Sequence, residues 1–381
     1  LQNGMPPISV RDLQVKDDST CHCADLIAGT HGRGFWILDN VTPLRQAAAA
    51  RSALSSGKPY LFKPAPAVRV RFGTNEPTPW PPEMPSGENP PPGGLIDYYL
   101  ASDASGPVML EILNAKGKVV RSYSSTEPVF DPDPGKDMAA YDKVCQKNPT
   151  AAYCGLPLYW PAPQYIISTK AGMHRFSWDL RFDPVSPQDL IPAGDEEATG
   201  AVPGRTYPNY NVPWVPPGTY TARLTVNGTS QSQPIEVKLD PRVKIAPVAL
   251  AQLNALSVEM YEGAVAAHRA FNEAKALGAK VAALTGADAE SVKGELEALA
   301  PTGLNRMRIG GFRRRGAATA TPTLEAVSNA LQAAAMGMQG AEVAPTAVQV
   351  AAAAAARRQY VTTMGRWTLA RTRAKALGVE R

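Results

Sequence analysis

The chain has no run of about twenty consecutive apolar residues, so no stretch of it is built to cross a bilayer as a helix. It opens with neither a secretory signal peptide nor an initiator methionine. Leu1 standing directly before a strand is what a fragment or a processed piece would show. Cysteine is scarce, with 4 in 381 residues. Cys21 and Cys23 flank His22 in a tight triplet with no second ligand pair. Tetrahedral metal sites need ligands from two directions, so a surface loop is expected there. Cys145 and Cys154 enclose a polar, Asn-Pro-containing stretch. A small disulfide loop in an oxidising compartment and two separate thiols fit it equally. No Ser-His-Asp or Cys-His spacing marks a nucleophile, although such groups assemble in space rather than along the chain. The net charge is only +5, and residues 246–381 hold the excess, with 16 Lys and Arg against 10 Asp and Glu. An excess this mild serves solubility rather than nucleic-acid binding.

Proline, at 36 residues, is abundant, and together with 31 glycines it favours β-structure with many turns and exposed connectors. Residues 1–40 read as strands separated by turns. Val10 to Val15 alternates apolar and polar side chains. Leu26-Ile27-Ala28 and Phe35-Trp36-Ile37-Leu38 flank a Gly-Thr-His-Gly-Arg-Gly turn. Three short strands cannot bury a core alone, so this segment requires a partner, and Phe35 and Trp36 should be exposed without one. Residues 46–58 form a short linker helix. Residues 59–242 carry strand patterns separated by Pro-rich insertions and read as a β-sandwich. Within them Val68, Val70 and Phe72 are expected on one face, with Arg69 and Arg71 on the other. Asn114-Ala115-Lys116-Gly117 and Asn227-Gly228 mark hairpin turns. Phe176, Trp178 and Leu180 should be core. From residue 243 the period becomes helical. Four apolar faces follow, the last on Val348, Ala352, Tyr360, Val361, Met364 and Trp367 and opened by Pro345-Thr346. They predict an antiparallel helical bundle over 243–381.

Gly29 to Asp39 with Thr42-Pro43-Leu44-Arg45-Gln46 resembles the closing hairpin of β-propellers of the Asp-box (BNR-repeat, sortilin-like) kind, bacterial members of which are often labelled glycosyl hydrolases. Three further blocks continue the resemblance: Glu88-Asn89-Pro90-Pro91 with Ile96-Asp97-Tyr98-Tyr99-Leu100; His174-Arg175-Phe176 with Trp178-Asp179-Leu180-Arg181; and Pro217-Gly218-Thr219-Tyr220 with Asp240-Pro241-Arg242-Val243. The resemblance implies multidomain β plus α architecture. Residues 1–45 would be a partial propeller blade, 59–242 an immunoglobulin-like sandwich and 243–381 the bundle. The Asp-box itself, Ser-x-Asp-x-Gly-x-Thr-Trp, does not occur in this chain.

Candidate binding residues are His31, Arg33 and Trp36 at the first turn, with Trp178 and Asp179, which could stack on and hydrogen-bond a sugar. The competing expectation is that His31 and Arg33 bond neighbouring loops, that Trp178 is core and that Asp179 faces solvent. Glycoside hydrolysis needs two carboxylates flanking the bond, whereas Asp97, Glu111, Asp179 and Asp183 lie in strands or loops with no partner motif. Asp131, Asp133 and Asp137 lack the closing Glu of a calcium loop, so neither a metal nor a cofactor is expected. Arg306, Arg308, Arg313, Arg314 and Arg315, interleaved with Gly and Phe, could bind an anionic polymer. A single loop of this kind reads first as an exposed connector. The expected function is that of a non-catalytic C-terminal portion of a secreted or periplasmic propeller protein, bracing the propeller and holding a protein or glycan. The alternatives are a contribution to a glycoside hydrolase whose site lies in the propeller, and anion or nucleic-acid binding through the arginine loop. The expected partners are a propeller of the same protein or another subunit, a glycan, or a second copy; nucleic acid and membrane insertion are not expected.

Overall fold

The computed structural model describes residues 7–18, 23–70, 93–127, 139, 142, 143, 146, 166–185, 212–301 and 321–379. The architecture is β plus α and divides into two compact units. One comprises Leu1–Asp183, Pro192–Asn209 and Trp214–Lys244; the other comprises Pro184–Ile191, Tyr210–Pro213 and Ile245–Arg381. Cys145, Cys154, the Asp131–Asp137 stretch and Arg306 to Arg315 lie outside the described residues, as do Cys21 and His22.

The first unit begins with β1 (Val10–Asp18), β2 (Cys23–Thr30) and β3 (Phe35–Leu38), an antiparallel sheet in chain order. Helices α1 (Thr42–Ala47) and α2 (Arg51–Leu54) follow. Eight strands come next: β4 (Tyr60–Leu61), β5 (Ala67–Arg69), β6 (Gly94–Leu100), β7 (Val108–Leu113), β8 (Val119–Ser124), β9 (Gly172–Trp178), β10 (Gly218–Val226) and β11 (Thr229–Leu239). They form a sheet of order β5-β11-β10-β7-β8 and a sheet of order β4-β6-β9. The strict alternation of Ile96, Tyr98 and Leu100 on β6 turns three large side chains inward. Leu110, Ile112, Leu224 and Ile235 of the larger sheet are equally buried. The Trp178 ring meets Tyr220 edge-on at 5.5 Å and Tyr123 meets Phe176 at 4.6 Å, so the inner faces of these two sheets share one core. Asn227-Gly228 makes the two-residue turn between β10 and β11, with Val226 paired to Thr229.

Two glutamines tie the short strand β4 to the larger sheet. Gln231 accepts from the Leu61 amide at 2.8 Å and donates to the Pro59 carbonyl, while Gln233 donates to the Leu61 carbonyl at 3.2 Å. Their side-chain amides thus occupy the place of a neighbouring backbone.

Strand β5 departs from expectation. Ala67 and Arg69 are buried and Val68 is half-buried, the reverse of the expected facing. The pairing explains it: β5 runs parallel to β11 with Ala67 opposite the buried Val237, and residues in register share a face. Arg69 Nη1 then donates to the Val215 carbonyl at 2.7 Å, and its guanidinium lies 5.8 Å from the Trp214 ring centroid.

The second unit contains α3 (Pro247–Val281), α4 (Ala287–Leu299), α5 (Leu324–Gly337) and α6 (Ala347–Ala376). Two apolar clusters hold them. Phe271, Leu277, Val292, Leu296, Leu324 and Trp367 belong to one, and Leu253, Met260, Val327, Leu331, Ala353 and Ala356 to the other. Thr346 caps α6 in a box with Gln349, each side chain meeting the other residue's backbone amide. The apolar face expected for α6 is corrected. Trp367 is buried and Tyr360 and Met364 pack against the clusters as expected, but Val348, Ala352 and Val361 are exposed, and Ala353, Ala356, Thr363, Ala370 and Ala374 complete the buried side. Small alanines permit close helix approach, and they widen the buried side beyond the larger residues.

Gly93, at φ +97°, has no room for a side chain. A Cβ there would lie 2.0 Å from the Trp178 carbonyl oxygen. Gly117 also has positive φ, +74°, but stands in open space. Gly93→Ala should therefore destabilise the first unit by about 3–5 kcal/mol, and Gly117→Ala by about 1 kcal/mol. Urea denaturation followed by tryptophan fluorescence measures both; equal losses would contradict this packing.

Candidate interaction surface

The β1–β3 sheet carries large apolar side chains on both faces. Pairing places Leu13, Ala28 and Trp36 in one row and Val15, Leu26 and Leu38 in the next, all on one face. Ile27, Phe35 and Ile37 lie on the other face, beside Asp12, Gln14 and Lys16 of β1. Phe35 is 81% exposed, Leu13 and Ile37 59% and Val15 55%. A sheet with one solvated face alternates apolar and polar residues, whereas four apolar residues in succession suit a strand covered on both sides. Each such side chain contributes roughly 1.5–3 kcal/mol when fully buried. Weighted by their exposure, the four together leave unused roughly 4–8 kcal/mol, an amount comparable to the stability of a small domain.

The turn of this sheet is closed locally. The Thr30 amide and hydroxyl both donate to the Gly34 carbonyl, at 3.2 and 2.7 Å, and the His31 amide donates to the Ser9 carbonyl at 3.0 Å. Trp36 Nε1 donates to the Arg33 carbonyl at 3.2 Å. His31 and Arg33 are exposed, which corrects the expectation that their side chains bond neighbouring loops; backbone atoms and Thr30 fix the turn instead. His31, Arg33 and Trp36 thus come together at one exposed tip.

The sheet is held to β6 and β9 chiefly through the Arg175 guanidinium, joined by Asn40. Asp97 and Arg175 are direct cross-strand partners. Arg175 Nε donates to Asp97 Oδ1 at 2.8 Å, and its two terminal nitrogens each donate at 2.7 Å, to the carbonyls of Asp39 and Asn40. Asn40, in a left-handed conformation at φ +49°, donates its side-chain amide to Asp97 Oδ2 and its backbone amide to Asp25 Oδ1. The Val41 amide closes the joint on the Ala24 carbonyl at 2.6 Å. Thr42-Pro43-Leu44-Arg45-Gln46 extends it. Pro43 starts α1, Arg45 pairs with Asp17 at the surface, and the Gln46 side chain exchanges two hydrogen bonds with the Lys63 backbone, at 2.8 and 3.0 Å. Burial pushes the Asp97 carboxyl above its ordinary value, opposed by the hydrogen bond and charge of Arg175. Asp39 is likewise raised by burial and by the neighbouring Asp25 charge, again opposed by Arg175.

Trp178 and Asp179 lie apart from this tip. Trp178 is fully buried, and its Nε1 donates to the Arg181 carbonyl. Asp179 does not face solvent as expected. It accepts from Arg121 Nη2 at 3.3 Å and from the Tyr123 hydroxyl at 3.3 Å, because Arg121 is buried and requires a counter-charge. The other candidate carboxylates are also committed to arginine: Asp97 to Arg175 at 2.8 Å, Glu111 to Arg223 at 2.8 Å and Asp183 to Arg121 at 4.0 Å. Among the described residues no group of three or more His, Cys, Asp or Glu is placed to hold a metal ion, and no helix is long and apolar enough to cross a membrane. Sequence reading missed the role of Arg175. The available signal was an Asp and an Arg standing in two strands beside the core residues Ile96, Tyr98, Phe176 and Trp178.

Comparisons of the chain with protein-family models, with characterised proteins and with solved structures return no match.

Replacing Arg175 by Met leaves the Asp97 carboxyl buried without its counter-charge. A carboxyl whose value is raised on folding favours the folded state only when protonated, so that contribution is lost as pH rises through the folded value. Arg175→Met should steepen this. Its stability deficit should be about 3 kcal/mol at neutral pH and should shrink as pH falls toward 4. Denaturation curves across pH check it, and a pH-independent deficit would assign Arg175 a packing role only.

Proposed function

We propose that the chain is the non-catalytic C-terminal portion of a secreted or periplasmic β-propeller protein of the Asp-box kind. In this reading β1–β3 belong to the last blade, 59–242 form an immunoglobulin-like sandwich and 243–381 a helical bundle. The chain braces the propeller and presents a surface for a protein or glycan. The observation that carries the reading is the exposed, two-faced apolar sheet, since a propeller blade is flanked by a neighbouring blade on each face. The occupant is accordingly propeller sheet. The resemblance of Gly29 to Asp39 and Thr42 to Gln46 supports the same assignment. So does the joint at Asn40, which holds that sheet to β6 and β9 while leaving both apolar faces open.

The experiment pairs this chain with the Asp-box propeller encoded in the same gene. Mixing should protect the amides of Val10–Asp18 and Phe35–Leu38 from hydrogen exchange. Phe35→Asp with Ile37→Asp should weaken binding at least about tenfold, roughly 1.4 kcal/mol. A gene without Asp-box repeats, or mixing without protection, overturns the reading. Glycan hydrolysis by this chain alone overturns its non-catalytic part.

A further inference from the structure

Helix α6 has a second apolar face that the described residues leave uncovered. Its buried side is alanine, Thr363 and Trp367. The opposite side is exposed over the length of the helix, with Val361 and Leu369 each 64% exposed. Surface helices carry mixed charges on that side. Here no carboxylate occurs between Glu342 and Glu380. Three of the arginines, Arg357, Arg371 and Arg373, are paired with Glu259, Glu273 and Glu295 of the same unit. With about 100° of rotation per residue, Ala354, Arg358, Val361, Gly365, Leu369, Thr372 and Ala376 fall along one line. Arg358 is the single charge among them.

Two details make this face fit for dry contact. Thr368 and Thr372 donate their hydroxyls back to the carbonyls of Met364 and Thr368, both at 2.9 Å, which satisfies the polar atoms internally. Gly365 costs helix stability, about 1 kcal/mol relative to alanine, yet nothing lies within 4 Å of the place its Cβ would take. The described residues therefore give no steric reason for a glycine, whereas a second backbone passing close would.

We propose that this face of α6 binds the same face of a second copy, antiparallel, with the two-fold axis at Gly365. The sequence is self-complementary about that point. Val361 comes opposite Leu369 of the second copy, and Ala354 opposite Ala376. Charge selects the direction: a parallel pair sets Arg358 against Arg358, while the antiparallel pair sets it against Thr372. The contact is isologous, so it closes at a dimer. It is independent of the propeller reading, because it uses the other unit.

The test is sedimentation velocity on the full chain carrying Leu13→Ser, Val15→Ser, Phe35→Ser and Ile37→Ser, which removes association through the β1–β3 sheet. A concentration-dependent dimer is expected. Leu369→Glu buries an unpaired charge and should weaken it at least about tenfold. Gly365→Cys should give an inter-subunit disulfide under mild oxidation. Ala347→Cys, about 27 Å along the helix from the axis, should not. A monomer at every concentration, a dimer indifferent to Leu369→Glu, or cross-linking through Ala347→Cys in place of Gly365→Cys overturns the proposal.

Discussion

One guanidinium settles how the first unit is put together. Arg175 binds a carboxylate on its neighbouring strand and two backbone carbonyls of a segment 135 residues earlier in the chain. It acts as a fork with its tines in two structures. Lysine cannot replace it, having neither the planar geometry nor the second directed donor pair. Asn40 completes the arrangement by adopting a left-handed backbone and turning its amide onto the same carboxylate. Asp97 would otherwise be a buried charge on the outer face of β6. Its cost is offset because the segment that buries it also supplies hydrogen bonds.

This joint gives the motif-like residues a physical meaning. Asp39-Asn40 supplies acceptors, Thr42-Pro43 starts a helix, and Gln46 clips the chain to Lys63. Trp178-Asp179-Leu180-Arg181 serves another arginine, the buried Arg121, through Asp179. Both clusters are arginine–carboxylate arrangements that fix strand positions. Neither leaves two carboxylates facing each other across an open cleft.

Much of the local structure was legible in the sequence. Asn227-Gly228 announced its turn, Pro345-Thr346 the start of α6, and Phe176, Trp178 and Leu180 their place in the core. Phe35 to Leu38, apolar at every position, already implied a strand with neighbours on both sides, and that is the candidate surface. What failed was information carried by distant partners. Arg69 points inward because β11, residues 229–239, sets its register. Asp97 is buried because Arg175 and Asn40 reach it. The buried side of α6 is widened by alanines that pack closely, whereas the sequence reading weighted its larger residues.

The glutamine clip on β4 also bears on the order in which the chain can be assembled. Leu61 receives its partner Gln231 only when a residue 170 positions later has been made. At ribosomal rates that is roughly 10–30 s. Asn40 waits 135 positions for Arg175. Segments made early in this unit thus wait for partners made long after them, and their strands spend synthesis without those ties. A nascent chain built this way depends on whatever shields those strands until the final hairpin emerges.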